Sequence, residues 1–280
     1  MIWLSPTFSR RLNSSDCGAA CQAAWRLPTV TRADWQSARR LATCPTIRQT
    51  VLFLLLPAIA LAGSVSGEVE LTNSKDAAVR KHRDYSGVVI WLEPADRASP
   101  ASPPKRVEML QKEKTFVPHV VAIALGGTVD FPNLDPIFHN AFSNFSGQPF
   151  DIGLYAPKTS RAMTFKHPGI VRVFCNIHST MSAIIAVVNT PWFAVSVSSG
   201  KYNIPSVPAG EYHLRIFHER AMPENLRFLE RRIIVPESGM ALPLISISET
   251  GFIPAPHMNK YGKDYPLGGS EGTYPGAPKQ

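Results

Sequence analysis

With 280 residues, 44% hydrophobic and 18% charged, and with 25 prolines and 18 glycines, the chain is long enough to bury a core in one or two domains. That balance excludes a disordered or fibrous protein. The net charge of +8 invites a nucleic-acid reading, yet residues 1–62 hold seven Arg and two Asp, and the remainder, 22 basic against 19 acidic residues, keeps only +3. No basic stripe interleaved with aromatics is left, so no nucleic-acid partner is expected.

Residues 1–47 are rich in Arg and small polar residues, show no hydrophobic periodicity and contain Cys17, Cys21 and Cys44. Cys17 and Cys21 could be argued to bind metal, but a discarded leader or a start placed too early is the simpler reading. Val51 to Ala62 is an apolar run after Arg48, and Ala60-Leu61-Ala62 before Gly63 offers a cleavage site for export. The run is shorter than the roughly 20 residues that a membrane-crossing helix needs. Residues 1–62 therefore read as leader and signal peptide, which places the mature protein in the periplasm, at the membrane only if the segment stays uncleaved. The exported chain keeps a single cysteine, Cys175, which cannot form an internal disulfide and is a liability in an oxidising compartment unless buried or metal-bound.

From Gly63 to Glu249 the texture is that of an all-β protein: short runs rich in Val, Ile, Phe and Tyr, broken by Gly, Pro, Asn and Asp. Residues 63–104 form an N-terminal β segment, with a strand at Gly87 to Leu92, and a Pro-rich loop from 94 onward. Thr115 to Leu125 and Thr128 to Phe131 read as strands around the Gly126-Gly127 turn. A polar, glycine-bearing stretch at 140–152 reads as irregular. Ser160 to Phe165 and Gly169 to Phe174 flank a His167-Pro168-Gly169 turn, and Met181 to Asn189 is a long apolar strand. Residues 105–190 are taken as one domain.

Residues 191–249 have their own turn-and-strand pattern, with strands at Phe193 to Val197, Ser199 to Pro205, Val207 to Phe217 and Glu230 to Val235. At about 60 residues this unit is near the lower limit for an independent core, so it is expected to lean on its neighbour. Residues 250–280 read as a tail that Tyr261 and Tyr265 could tack to a surface. No repeat of fixed period appears.

The chemistry concentrates in Phe174-Cys175-Asn176-Ile177-His178-Ser179-Thr180-Met181, a loop between two strands that carries a thiolate, an imidazole and a thioether. These are ligands that copper favours. A centre cycling between two copper oxidation states needs a donor set that satisfies neither fully, and two His and one Cys with a weak axial Met meet that need. The second imidazole has to come from elsewhere in the chain, and His139, in Asp135-Pro136-Ile137-Phe138-His139-Asn140, lies 36 residues before Cys175. Asn140, directly after it, can tie that loop to the Cys175 loop by hydrogen bonds.

His-Asn followed by Cys-x2-His-x2-Met resembles the cupredoxins, and the short loop is most similar to that of amicyanin; plastocyanin and pseudoazurin have two more residues before the Met. The resemblance covers about residues 105–190. It implies a Greek-key β-sandwich with one type 1 (blue) copper ion bound at one end by His139, Cys175, His178 and Met181. Over a longer stretch the chain resembles bacterial methylamine-utilization or plastocyanin-like proteins, whose second half is a smaller transthyretin-like β-sandwich of the carboxypeptidase regulatory-like kind. Ser199 to Pro205 and Val207 to Tyr212 match its motifs. One departure is Ile177 where many cupredoxins have Pro, which puts the fine tuning at His178 in question.

A structural zinc site would want four Cys or His ligands, and Met binds zinc poorly. His119, His167, His213, His218 and His257 form no ligand-like cluster, and no His-x-His pair of the kind multicopper oxidases or nitrite reductases need is present. The sequence therefore implies a carrier of single electrons between a redox donor and acceptor of the dehydrogenase or cytochrome class, not an enzyme. The resemblance to cupredoxins implies that the edge of His178 serves as electron exit within an apolar patch, for which Phe138 and Ile177 are the candidates. The alternatives are copper storage, delivery or sensing, or an envelope protein with a vestigial site.

Overall fold

The computed structural model describes residues 62–144, 148–254 and 256–265. The leader and signal peptide, Cys17, Cys21 and Cys44 lie outside the described residues. Among those residues no helix is long and apolar enough to cross a membrane.

The fold is nearly all β. It begins with β1 (Gly63–Thr72), a short helix α1 (Ala77–His82) and β2 (Val89–Pro94). The middle consists of β3 (Arg106–Glu108), β4 (Leu110–Lys112), β5 (Thr115–Val117), β6 (Val120–Ala124) and β7 (Thr128–Pro132). It continues through β8 (His139–Ser143), β9 (Phe150–Tyr155), β10 (Ser160–Thr164), β11 (Gly169–Phe174) and β12 (Ser182–Val188). Last come β13 (Phe193–Val195), β14 (Lys201–Val207), β15 (Gly210–Phe217), α2 (Pro223–Arg227), β16 (Arg231–Val235), β17 (Met240–Ala241) and β18 (Ile245–Ser248).

Most of the middle strands form two facing sheets, ordered β10-β7-β3 and β6-β12-β11-β8-β9, while β4 and β5 pair as a two-stranded sheet. Their inner faces meet in a core of Met109, Phe131, Phe165, Val173, Ile185 and others, into which Cys175 and Met181 also project. A second pair of sheets holds the rest. One is β13-β2-β15-β16, and in the other β1 pairs with β14, β17 and β18. Their shared core includes Val69, Leu92, Ile204, Tyr212 and Ile247.

Side chains alternate across a strand with period two, and this explains the long apolar run of β12. Ala183, Ile185 and Val187 face the first core. Ile184 and Ala186, on the opposite face, pack with Val120 and Ala122 of β6 and Val89 of β2, and Phe193 and Phe217 close the patch. A strand buried on both faces reads as continuous hydrophobicity rather than alternation. Full burial of a side chain such as Ile184 contributes about 1.5–3 kcal/mol, so this shared layer joins the two sandwiches firmly.

Several strands differ from the sequence reading. Thr115 to Leu125 is split into β5 and β6 at Pro118, which cannot donate a ladder hydrogen bond. The stretch at 140–152 contains β8 and β9: every residue of β8 is buried, the polar His139, Asn140 and Ser143 among them. Polar residues inside a strand remove the alternation on which the reading relied. Residues 63–94 pair with 193–248 rather than standing apart, through β1 with β14, β17 and β18 and through β2 with β13 and β15. A unit of about 60 residues buries too little surface alone, and these two strands enlarge its core.

Candidate metal centre

The ends of three strands bring the predicted ligands together. His139 opens β8, Cys175 follows β11, and His178 and Met181 lie in the loop that leads into β12. Antiparallel register places Phe174, the last residue of β11, opposite Phe142, so the start of β8 runs on past the end of β11 alongside the loop that begins with Cys175. The Cys175 N–H donates to the Met181 carbonyl (3.2 Å) and the Met181 N–H to the His178 carbonyl (3.1 Å), which closes the loop on itself.

Within this frame Cys175 Sγ lies 3.9 Å from His139 Nδ1 and 3.6 Å from His178 Nδ1. The three donor atoms fall within 4.8 Å of one another. Cys175, His139 and Met181 are fully buried, and the two imidazole rings are 4.8 Å apart between centroids. Cys175 is a free thiol.

The other nitrogen of His139 is held by a group the sequence reading left without a role. His139 Nε2 lies 2.8 Å from Asp135 Oδ2. A carboxylate there accepts a hydrogen bond from Nε2–H, keeping the proton on Nε2 and the Nδ1 lone pair facing Cys175, which is the tautomer a metal ligand needs. Asp135 also accepts from the Glu113 N–H (2.6 Å) and the Lys114 N–H (2.9 Å). Burial alone would raise its pKa, but the Lys114 N–H, His139 and the Glu113 N–H together hold it below the usual carboxylate value. The sequence signal was present, an aspartate four residues before the histidine, but nothing in the sequence shows that the intervening loop folds back.

Burial, with the nearby charges of His139 and Lys114, lowers the His178 pKa to about 4, so its ring is neutral and available as a ligand at neutral pH. Burial raises the Cys175 thiol, against backbone N–H groups of Ile177, Asn140 and His178 that favour the thiolate. A bound cation would reverse that balance.

Asn140 is nearly fully buried and joins the two loops: its Oδ1 accepts from the Asn176 N–H (3.3 Å), while its Nδ2 donates to Asp151 (2.7 Å) and to the Gly153 carbonyl (3.0 Å). Gln111, also fully buried, donates from Nε2 to the Asn140 carbonyl (3.2 Å) and accepts from the Tyr155 hydroxyl (2.7 Å). Gln111 and Tyr155 escaped the sequence reading because their roles depend on pairing between distant strands. Phe138 is 45% exposed, and His178 and Ile177 are half-buried. The remaining histidines stay outside the centre: His119 pairs with Glu219 (2.8 Å) and His218 with Glu249 (2.9 Å).

Two imidazole Nδ1 atoms, one thiol and an adjacent buried thioether make a soft, mixed set that suits copper. The carboxylate nearest to it, Asp135, is engaged by His139 and two backbone amides. The donor set therefore fits a copper ion.

The fold and the site together define an all-β sandwich with a His, Cys and His cluster at one end, and solved structures that match it include a copper-containing nitrite reductase, a purple cupredoxin and amicyanin. A copper-containing nitrite reductase from Thermus scotoductus matches at 28% identity over 34% of this chain and 25% of its own, with a TM-score of 0.29. A purple cupredoxin from Nitrosopumilus maritimus matches at 18% identity over 29% of this chain and 98% of its own, TM-score 0.27. Amicyanin from Paracoccus versutus matches at 23% identity over 35% and 91%, TM-score 0.28. The chain thus spans about a quarter of the nitrite reductase. No protein-family model matches the chain, and no curated protein does.

The first of these matches corrects one expectation. The sequence reading set the chain apart from enzymes because it lacks a His-x-His pair, yet an enzyme, the nitrite reductase, is among the structures it resembles. A motif count over one chain does not separate a carrier from a domain of the kind an enzyme contains, and the exclusion of enzymatic activity does not stand.

Proposed function

We propose that the centre is a type 1 copper site that passes single electrons between redox partners. The observation that carries this reading is the convergence of His139 Nδ1, Cys175 Sγ and His178 Nδ1, with His139 Nε2 committed to Asp135. Cys175 would give the thiolate bond, His139 and His178 the equatorial imidazoles, and Met181 the weak axial thioether; one copper ion would supply the one-electron redox couple. Asp135 and Asn140 hold the ligands in place before metal arrives, which limits rearrangement when an electron is gained or lost. The half-buried ring of His178 offers a route for electrons to a docked donor or acceptor. Export to the periplasm is supported by the apolar run Val51 to Ala62 and by the lone cysteine of the chain that follows it. The second sandwich is read as carboxypeptidase regulatory-like on the Ser199 to Pro205 and Val207 to Tyr212 motifs.

Copper added to the purified full-length protein is expected to give an intense visible band that bleaches on reduction and returns on oxidation. Cys175→Ser should abolish the band while the chain stays folded. A colourless protein holding only Cu(I) and losing it readily would support storage or delivery instead.

A further inference from the structure

The segment after β18, read from sequence as a tail, makes its best contacts on the loop that carries the metal ligands. The Tyr265 hydroxyl donates to the carbonyl of Cys175 itself (2.6 Å). The His257 ring stacks on Phe174, the residue before Cys175, with centroids 4.1 Å apart and planes inclined by 23°. The Lys260 N–H donates to Asn176 Oδ1 (3.0 Å), on the residue after Cys175. Lys260 Nζ pairs with Asp151 (2.8 Å), which accepts from Asn140, and Asn140 in turn accepts from the Asn176 N–H. Residues 174, 175 and 176 are therefore each gripped by a different tail residue. Tyr261, by contrast, is 70% exposed.

This arrangement goes beyond covering a surface. The Tyr265 hydroxyl puts the positive end of its O–H dipole on the carbonyl oxygen of the ligand cysteine itself, and hydrogen bonding and dielectric around a ligand cysteine tune the potential of a copper–thiolate site. Because the reduced centre carries one positive charge fewer than the oxidised one, such a donor favours reduction.

We propose that residues 257–265 are a built-in strap on the metal centre, with Tyr265 a positioning residue that fixes the Cys175 backbone, limits access to its thiol and raises the reduction potential. This rests on the copper reading for the potential alone; access to the thiol is a property of the metal-free protein.

The test uses the full-length protein in wild-type form, as Tyr265→Phe, and truncated after Pro254. In metal-free protein, maleimide labelling of Cys175, followed by mass spectrometry of its peptide, should be about five-fold faster in Tyr265→Phe, the ratio expected for loss of one net hydrogen bond, and faster still in the truncated chain. Circular dichroism confirms that both variants remain folded. In copper-loaded protein, Tyr265→Phe should have a lower reduction potential and a shifted visible band. Unchanged labelling overturns the strap, and faster labelling with an unchanged potential overturns the positioning role of Tyr265. If the wild type takes up no copper, the copper reading fails while the labelling result still decides the strap.

Discussion

The two sandwiches share a packing layer but bury different kinds of residue. Among the described residues the first sandwich buries Gln111, Asn133, Asp135, His139, Asn140, Ser143 and Gln148, and five of these, Gln111, Asn133, Asp135, His139 and Asn140, are joined by hydrogen bonds at His139 and its neighbour Asn140. The second core is built from Val, Ile, Leu, Tyr and Trp, and among the described residues its sandwich buries fewer polar groups, Thr190, Ser196, His218 and Glu249, of which the last two pair with each other (2.9 Å). Buried polar groups cost free energy unless each finds a partner. Their concentration at one end of one sandwich marks the place where the fold carries a constraint other than its own stability.

If that division is right, damage to the second core should be expressed as stability and damage to the polar end as metal binding. Ile204 is fully buried in the second core. Ile204→Ala should destabilise the protein by about 2–5 kcal/mol, measured by denaturant unfolding, while the copper spectrum below the transition stays that of the wild type. A changed spectrum would mean that the two regions are not separable.

Asp135→Asn tests the other side. It keeps the shape but removes the charge that orients His139, and should weaken copper binding about 10- to 100-fold, measured by competition with a chelator. Its effect on unfolding of the metal-free protein should be much the smaller of the two.

Gly200→Ala is a milder probe of the second sandwich. The φ of +81° at Gly200 favours glycine, and an added Cβ would stand 2.1 Å from the Val69 carbonyl oxygen, in the strand pairing that joins residues 63–72 to the C-terminal half. The expected loss is above ~1 kcal/mol, with the copper spectrum again unchanged.

The smallest effect is on pH dependence, where two histidines should act in opposite directions. The His178 pKa is lowered from 6.5 to about 4 by burial, so below pH 6.5 the unfolded chain binds a proton that the folded one does not. Metal-free protein should lose this contribution to stability as pH falls from 6.5 toward 4, and His178→Gln should flatten that slope. His119 is raised above 6.5, chiefly by its hydrogen bond to Glu219. Its contribution is full below pH 6.5 and is lost as pH rises through the raised value, which unfolding of His119→Gln at a series of pH values checks.

What the sequence revealed follows from how local each signal is. Cys175, His178 and Met181 share one short loop, and His139 was found because it precedes an asparagine at a fitting distance. Strands with regular patterns, such as β2, β7, β11 and β15, fell close to their expected places. The rest depends on contacts between distant segments. Asp135 could be read only once its loop was seen to return to His139, and Gln111 acts across pairings that no spacing encodes. Strand β8 was missed because its polar residues are buried for the site's sake, and β1 because the partners that make it a strand lie more than a hundred residues later. The Pro-, Gly- and Lys-rich composition of the tail concealed contacts made through a backbone carbonyl and a stacked ring.

The central claim is that copper binds to these side chains and not merely to the protein. X-ray absorption at the copper edge of the full-length protein loaded with one equivalent tests it most directly. The account predicts one short thiolate sulfur and two imidazole nitrogens around the ion, with the sulfur lost in Cys175→Ser. A spectrum with only nitrogen and oxygen neighbours, identical in the wild type and in Cys175→Ser, would contradict it.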